Sequence, residues 1–196
     1  GGGAVSMFYG WPVPANRRIG ERLLGYERCG QQHALVRGVG DNPISEPESH
    51  AGLTEAKLSS FNEQALWLWE RCAPQLGAST VRDSAWLSWR YLCHPEHTYS
   101  CLGVRDSEET LRGLAVGRAV EQDGKRVALM ADWLVPTDEP DVAKMLLAAF
   151  EVQAREWACE AIALWMPPAS PWFTWFQVQG FGLRPTSWQR VVRSFD

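Results

Sequence analysis

Hydrophobic and polar positions follow two different periods along residues 98–181, and the change between them predicts a mixed fold. Three strand-like runs come first, at 98–106, 110–120 and 125–135. Asp123-Gly124 between the last two runs is a strong hairpin signal. Apolar residues then recur at helical spacing over 142–157, which predicts a long amphipathic helix. The short run 161–166 is apolar on both faces, as expected of a strand buried inside a sheet.

The chain before these strands divides into a short segment, a linker and two further helices. Residues 38–57 are rich in Gly, Pro, Ser and acidic residues, which predicts a linker. Residues 1–37 are too few to bury a core alone, so we expect them to pack on another part of the chain or on a partner. Over 58–196, with Asp83 capping the second helix, the order of elements predicts one α/β (α+β) domain.

Composition and net charge indicate a globular protein and disfavour nucleic-acid and membrane partners. With 45% hydrophobic and 21% charged residues, the 196-residue chain has the composition of an ordinary globular protein. A net charge of −4 gives no general attraction to nucleic acid, and no apolar run approaches the length of a membrane span. The first residues lack the layout of a signal peptide, so we expect a cytoplasmic protein.

The cysteines and histidines predict no metal site. The five cysteines form no CxxC pair, and Cys93, His94 and His97 have no second cluster to complete a set of about four ligands. Buried free thiols are the simpler interpretation.

The order of elements over about 58–196 resembles the GCN5-related N-acetyltransferase superfamily. The residues that carry the resemblance are Trp89-Arg90-Tyr91, His94-Pro95, Tyr99, the Asp123-Gly124 hairpin, the strand-to-helix step at 132–145 and Gly180-Phe181. The resemblance implies a mixed, mostly antiparallel central sheet with helices on both faces. The segment from Trp89 to Tyr99 is similar to the corresponding segment of a subset of the superfamily in which this domain is the second of two. In that comparison, residues 1–37 resemble the last helix and strands of the preceding domain.

The resemblance implies acetyl-CoA or another acyl-CoA as cosubstrate, bound where the central strand leaves its neighbour. Strand amides would hold the pantetheine arm, implying Leu134 and Val135. The pyrophosphate would lie at the start of the next helix, implying Asp141 and Val142. The turn there reads Thr-Asp-Glu-Pro-Asp over 137–141, with no glycine and three carboxylates that repel phosphate. A capped helix that binds no nucleotide is therefore the alternative.

The same resemblance implies catalytic and substrate-binding residues. The family often has a tyrosine four residues before the Gly-Phe pair as general acid, and here that position is Phe176. Tyr91 or Tyr99 is the substitute, and Asp132 is the candidate general base. Pairing of Asp132 with an arginine (Arg90, Arg112 or Arg118) is the alternative. The candidate substrate contacts are His94, Tyr99, Trp165 and Trp172, with helix capping as the alternative for His94 and core packing for the aromatic residues.

Three functions remain open at this level. The first is an N-acetyltransferase that transfers an acyl group from acyl-CoA to a small-molecule or peptide amine. The second is a non-catalytic domain of the same fold, kept for binding or for packing as a homodimer or against a second such domain. The third is a relative of the aminoacyltransferases that use aminoacyl-tRNA, which the acidic charge balance disfavours. We expect no nucleic-acid and no membrane partner.

Overall fold

The computed structural model describes residues 7–40, 44, 52–76 and 79–194. Contacts divide the chain into two compact units, Gly1–Ala34 with Leu183–Asp196, and Leu35–Gly182. The elements in chain order are β1 (Met7–Gly10), α1 (Pro14–Leu23), β2 (Glu27–Gly38), β3 (Thr54–Lys57), α2 (Gln64–Leu76), α3 (Ser84–Leu87), a π-helical turn (Ser88–Leu92), β4 (Ser100–Arg105), β5 (Leu111–Gln122), β6 (Lys125–Leu134), α4 (Pro140–Glu156), β7 (Ala161–Trp165), α5 (Pro171–Val178) and β8 (Gly182–Ser194).

The smaller unit is a helix with strands in the order β1, β8, β2. Strand β1 runs antiparallel to the end of β8, with Met7 opposite Ser194. Helix α1 begins with Pro14 and is followed by Gly25 at φ 66°, a left-handed conformation that glycine adopts without strain. The assignment of 1–37 to a preceding domain stays a prediction.

The sheet of the larger unit has the strand order β2, β7, β6, β5, β4, β3. Strands β3 to β6 are antiparallel neighbours, while β6 and β7 are parallel. Asp123 and Gly124 both have positive φ, as the predicted hairpin turn requires. Residues 54–57 lie in the stretch whose composition predicts a linker, yet they form β3, because their backbone pairs with the edge of β4.

Helices cover both faces of this sheet, as predicted. One face packs against α4 and α5 around Leu146, Phe150 and Phe176. The other packs against α2, α3 and the π-helical turn around Leu68, Leu87 and Leu114. The fold class is therefore the predicted α/β (α+β) arrangement, with a mixed and mostly antiparallel sheet.

A buried ion pair joins β2 to α4. Arg37 Nη1 donates to Glu151 Oε2 at 2.8 Å, and the two side chains are 5% and 2% exposed. Arg155 donates to the second oxygen of Glu151. Burial alone would raise the pKa of Glu151, but the hydrogen bond and charge of Arg37 hold it below its ordinary value. The pair therefore keeps its charge inside the protein.

None of the helices in the described part of the chain combines the length and apolar character that crossing a bilayer requires. The described ranges also contain no group of three or more His, Cys, Asp or Glu side chains arranged to hold a metal ion.

Candidate active site

A β-bulge in β6 decides which face of the sheet Asp132 occupies. Val116 pairs with Asp132 and the next residue, Gly117, pairs with Met130, so Ala131 is an extra residue in β6. Side chains alternate between the faces of a strand, and one extra residue reverses that alternation. Met130 consequently packs on the α4 face, while Asp132 lies on the face covered by α2 and α3.

Strands β6 and β7 stop pairing at this bulge. Their parallel ladder runs from Val127–Ala161 to Met130–Leu164, whereas β6 continues to pair with β5 as far as Leu134. Beyond Met130, β6 therefore pairs with β5 alone, since β7 ends at Trp165. Asp132 lies just beyond the last β6–β7 pair, and the separation of strands that the resemblance implies stays a prediction.

Helix α5 contacts β6 beyond the last strand pair. The indole Nε1 of Trp172 donates to the carbonyl oxygen of Val135 at 2.9 Å. Trp133 packs edge-to-face on Trp172 and Phe176, with ring centres 6.0 and 5.0 Å apart. Among the described side chains, the buried Nε1 of Trp133 has no hydrogen-bond partner. Aromatic rings of α5 thus take the place of a strand beside the end of β6.

Asp132 is 9% exposed and both of its carboxylate oxygens accept hydrogen bonds. The hydroxyl of Tyr91 donates to Oδ2 at 3.0 Å, and Arg82 Nε donates to the same oxygen at 3.3 Å. The backbone N–H of Trp133 donates to Oδ1 at 3.1 Å. Burial, followed by the charge of Asp132, raises the pKa of Tyr91, so the phenol keeps its proton.

Local helix geometry delivers Tyr91 to this carboxylate. Asp83 caps α3 by accepting from Trp86 N at 2.7 Å, which confirms the predicted cap. The helix then widens, with Cys93 N donating to Ser88 O five residues earlier at 2.9 Å. Tyr91 lies in this π-helical turn and is buried.

The arginine beside Asp132 is Arg82, not one of the three that the sequence suggests. Its guanidinium stacks on Trp69 and Trp86, with Cζ 5.1 and 5.2 Å from the ring centres. Arg112 instead bonds Asp106 and Glu139. Arg82 precedes the helix cap, and no local pattern in the sequence links it to a carboxylate 50 positions away. Only the packing of α2 and α3 on the sheet brings the two together.

His94 and Tyr99 lie next to Tyr91. The Tyr99 ring is 5.1 Å from that of Tyr91 and 5.7 Å from that of His94. His94 Nδ1 accepts from the backbone N–H groups of Glu96 and His97, each at 3.2 Å. His94 thus closes the turn that follows the helix, and its predicted roles in substrate contact or helix capping stay predictions. The structure thus groups four of the predicted site residues: Tyr91, His94, Tyr99 and Asp132.

No protein-family model matches the sequence, and no curated protein matches it, but solved structures do. A probable N-acyltransferase from Enterococcus faecalis matches 97% of this chain with TM-score 0.64 and 12% identity. A GCN5-related N-acetyltransferase from Anabaena variabilis matches 96% with TM-score 0.61 and 13% identity. A tandem GNAT protein from the clavulanic acid biosynthesis pathway matches 96% with TM-score 0.62 and 12% identity. The chain has the GCN5-related N-acetyltransferase fold.

The chain spans only part of these similar proteins. It covers 45% of the Enterococcus protein, 46% of the Anabaena protein and 64% of the tandem protein. At 12–13% identity, the likeness establishes the GCN5-related N-acetyltransferase fold.

The turn that precedes α4 and the first turn of that helix carry the acidic residues Asp138, Glu139 and Asp141 at the position where the resemblance implies a pyrophosphate. Arg71 Nη1 donates to Glu139 Oε1 at 3.0 Å, and Asp138 pairs with the same arginine at 3.2 Å. Arg112 also donates to Glu139, which raises the pKa of Arg112, while Asp106 lies 3.1 Å from its other amine. Carboxylates of the protein thus neutralise both arginines near the start of α4.

The other predicted site residues differ in accessibility. Among the predicted cofactor-binding residues, Leu134, Val135 and Val142 are buried and Asp141 is exposed. Trp172 is buried against β6, whereas Trp165 at the end of β7 is 55% exposed. Their roles in binding stay predictions.

Proposed function

We propose that residues 35–182 form an acyltransferase domain that moves an acyl group from a CoA-type thioester to an amine. The observation that carries the proposal is the position of Asp132. The bulge turns this carboxylate to the α2 face just beyond the last β6–β7 pair, and Tyr91 and Arg82 fix its orientation. A carboxylate held in a fixed orientation at the end of this ladder is suited to accept a proton from an attacking amine.

The reaction needs one proton acceptor and one positioned thioester. The amine nitrogen attacks the thioester carbonyl carbon, the C–N bond forms, and the C–S bond breaks. The nitrogen gives its proton to Asp132, and the departing thiolate is protonated by solvent. Tyr91 keeps its own proton because its pKa is raised. Its role in this proposal is to position Asp132, and it is a poor donor to the thiolate.

The acidic turn before α4 restricts how the donor binds. Asp138 and Glu139 already occupy Arg71 and Arg112, and their charges repel phosphate. We therefore expect affinity for the donor to come from the pantetheine arm and the acyl group, with little contribution from the phosphates.

A second candidate is a non-catalytic domain of the same fold. The observation that favours it is the hydrogen bond from Trp172 to the Val135 carbonyl, which already engages the backbone of β6 beyond the strand pairs. A donor that lies along this backbone must compete with α5. In a non-catalytic domain this contact is permanent.

Thermal unfolding with two donors separates the candidates. Acetyl-CoA and S-acetylpantetheine, which lacks the phosphates, are each added at millimolar concentration, with free pantetheine as the control. Binding at micromolar affinity stabilises the fold by about 4 kcal/mol. We expect comparable stabilisation by both thioesters. No stabilisation by either thioester would exclude the acyltransferase and leave the non-catalytic domain.

A further inference from the structure

Two arginines next to the Asp132 cluster stack on its tyrosines. Arg90 Cζ lies 5.8 Å from the centre of the Tyr91 ring, and Arg118 Cζ lies 5.8 Å from that of Tyr99. These two rings are themselves in contact. Within the described ranges, neither arginine has an ion-pair or hydrogen-bond partner, in contrast to Arg82. Their guanidinium groups are therefore available to a ligand.

The sheet places Arg118 on the same face as Asp132. Val116 pairs with Asp132, and Arg118 follows two positions later on β5, so its side chain emerges on the same side. Ser100 pairs with Gly117, which puts Tyr99 beside Arg118 at the start of β4. A ligand that contacts Arg118 is thus one row of side chains away from the proton acceptor.

We propose that the acceptor is an amine that also carries a carboxylate. Its carboxylate binds the guanidinium of Arg118, with Arg90 adding positive charge, and its amine faces Asp132. Arginine suits this task because its planar fork donates two parallel hydrogen bonds to a carboxylate. Stacking on tyrosine holds the guanidinium plane in place before the ligand arrives. The identity of the reacting amine rests on the proposed function, but binding of the carboxylate does not.

The test compares three probes of the same shape on the full chain. Phenylalanine carries the amine and the carboxylate, phenethylamine lacks the carboxylate, and 3-phenylpropionate lacks the amine. The arginine Nε–Hε signals are followed by NMR during titration. We expect saturable shifts of the Arg118 signal with phenylalanine and 3-phenylpropionate, but not with phenethylamine. Phenylalanine affinity should fall about 10- to 100-fold in Arg118→Gln, because the charge-assisted hydrogen bonds from the guanidinium to the carboxylate are lost.

Two further variants make the result specific. Arg118→Lys should retain part of the affinity because it keeps the charge. Lys125→Gln removes one positive charge from the exposed hairpin and should bind as the wild type does. The proposal is overturned if phenethylamine binds as tightly as phenylalanine, if Arg118→Gln binds normally, or if no carboxylate probe shifts the Arg118 signal.

The outcome also separates this inference from the proposed function. Carboxylate binding at Arg118 without any acyl transfer would contradict the acyltransferase and support the binding site. Acyl transfer to phenethylamine and phenylalanine at equal rates would support the acyltransferase and overturn the selectivity proposed here.

Discussion

The hydroxyl of Tyr91 donates a hydrogen bond to Asp132 Oδ2 at 3.0 Å, and both side chains are buried. The pair joins a π-helical turn to a β-bulge, two irregularities that each shift one side chain from its regular position. Neither irregularity alone would create the contact. The π-helical turn and the β-bulge thus together position the carboxylate of Asp132.

Replacement of Tyr91 by phenylalanine should change how stability depends on pH. The pKa of Tyr91 is raised in the folded protein, while the unfolded phenol ionises near pH 10. Its contribution to stability is therefore full below about pH 10 and declines as the pH rises further, by at most about 1.4 kcal/mol per pH unit. Urea unfolding at pH 8 and pH 10.5 measures this loss. We expect a smaller loss in Tyr91→Phe, and an equal loss in both proteins would contradict the assignment.

Two tryptophan variants test the contact between α5 and β6. Trp172→Phe removes the donor to the Val135 carbonyl, whereas Trp133→Phe removes an N–H that has no partner among the described side chains. Both lose similar ring volume, so the difference between them isolates the hydrogen bond. We expect Trp172→Phe to lower the free energy of unfolding by about 1 kcal/mol more than Trp133→Phe. Equal values in chemical denaturation would show that this bond contributes nothing.

The buried pair of Arg37 and Glu151 should be a large contributor to stability. Glu151→Gln removes the charge that faces two arginines, and we expect a loss of about 3 kcal/mol in the free energy of unfolding. The pKa of Glu151 is lowered on folding, so its contribution is present above the unfolded value of about 4.3 and is lost at lower pH. The exposed Glu160→Gln is the control, with a change below about 0.5 kcal/mol. If the wild type and Glu151→Gln unfolded at the same acidic pH, this view of the pair would be contradicted.

Regular periodicity predicted most elements of the fold. Strands β6 and β7 each differ from the predicted bounds by one residue, and the Asp123-Gly124 turn is confirmed. These elements depend on local pattern and turn chemistry, which a single sequence displays.

The details of the site were less predictable, because they depend on contacts between distant segments. The run containing Ala131 reads as a continuous strand, since apolar residues predominate over residues 127–135, and nothing local shows the change of face. Arg82 meets Asp132 only after α2 and α3 pack on the sheet. The strand at 54–57 is polar in composition and exists because the edge of β4 is open to pairing.

The most direct measurement concerns Asp132 itself. Acetyl-CoA is incubated with an equimolar mixture of amino acids and phenethylamine, and acetylated products are quantified by mass spectrometry. We expect product from the wild type, a decrease of about 10²- to 10⁴-fold in Asp132→Asn, and the wild-type rate in Glu121→Gln, which neutralises an exposed carboxylate. Product at the wild-type rate from Asp132→Asn, or none from the wild type above a protein-free control, would contradict the role of Asp132 as proton acceptor in an acyltransferase.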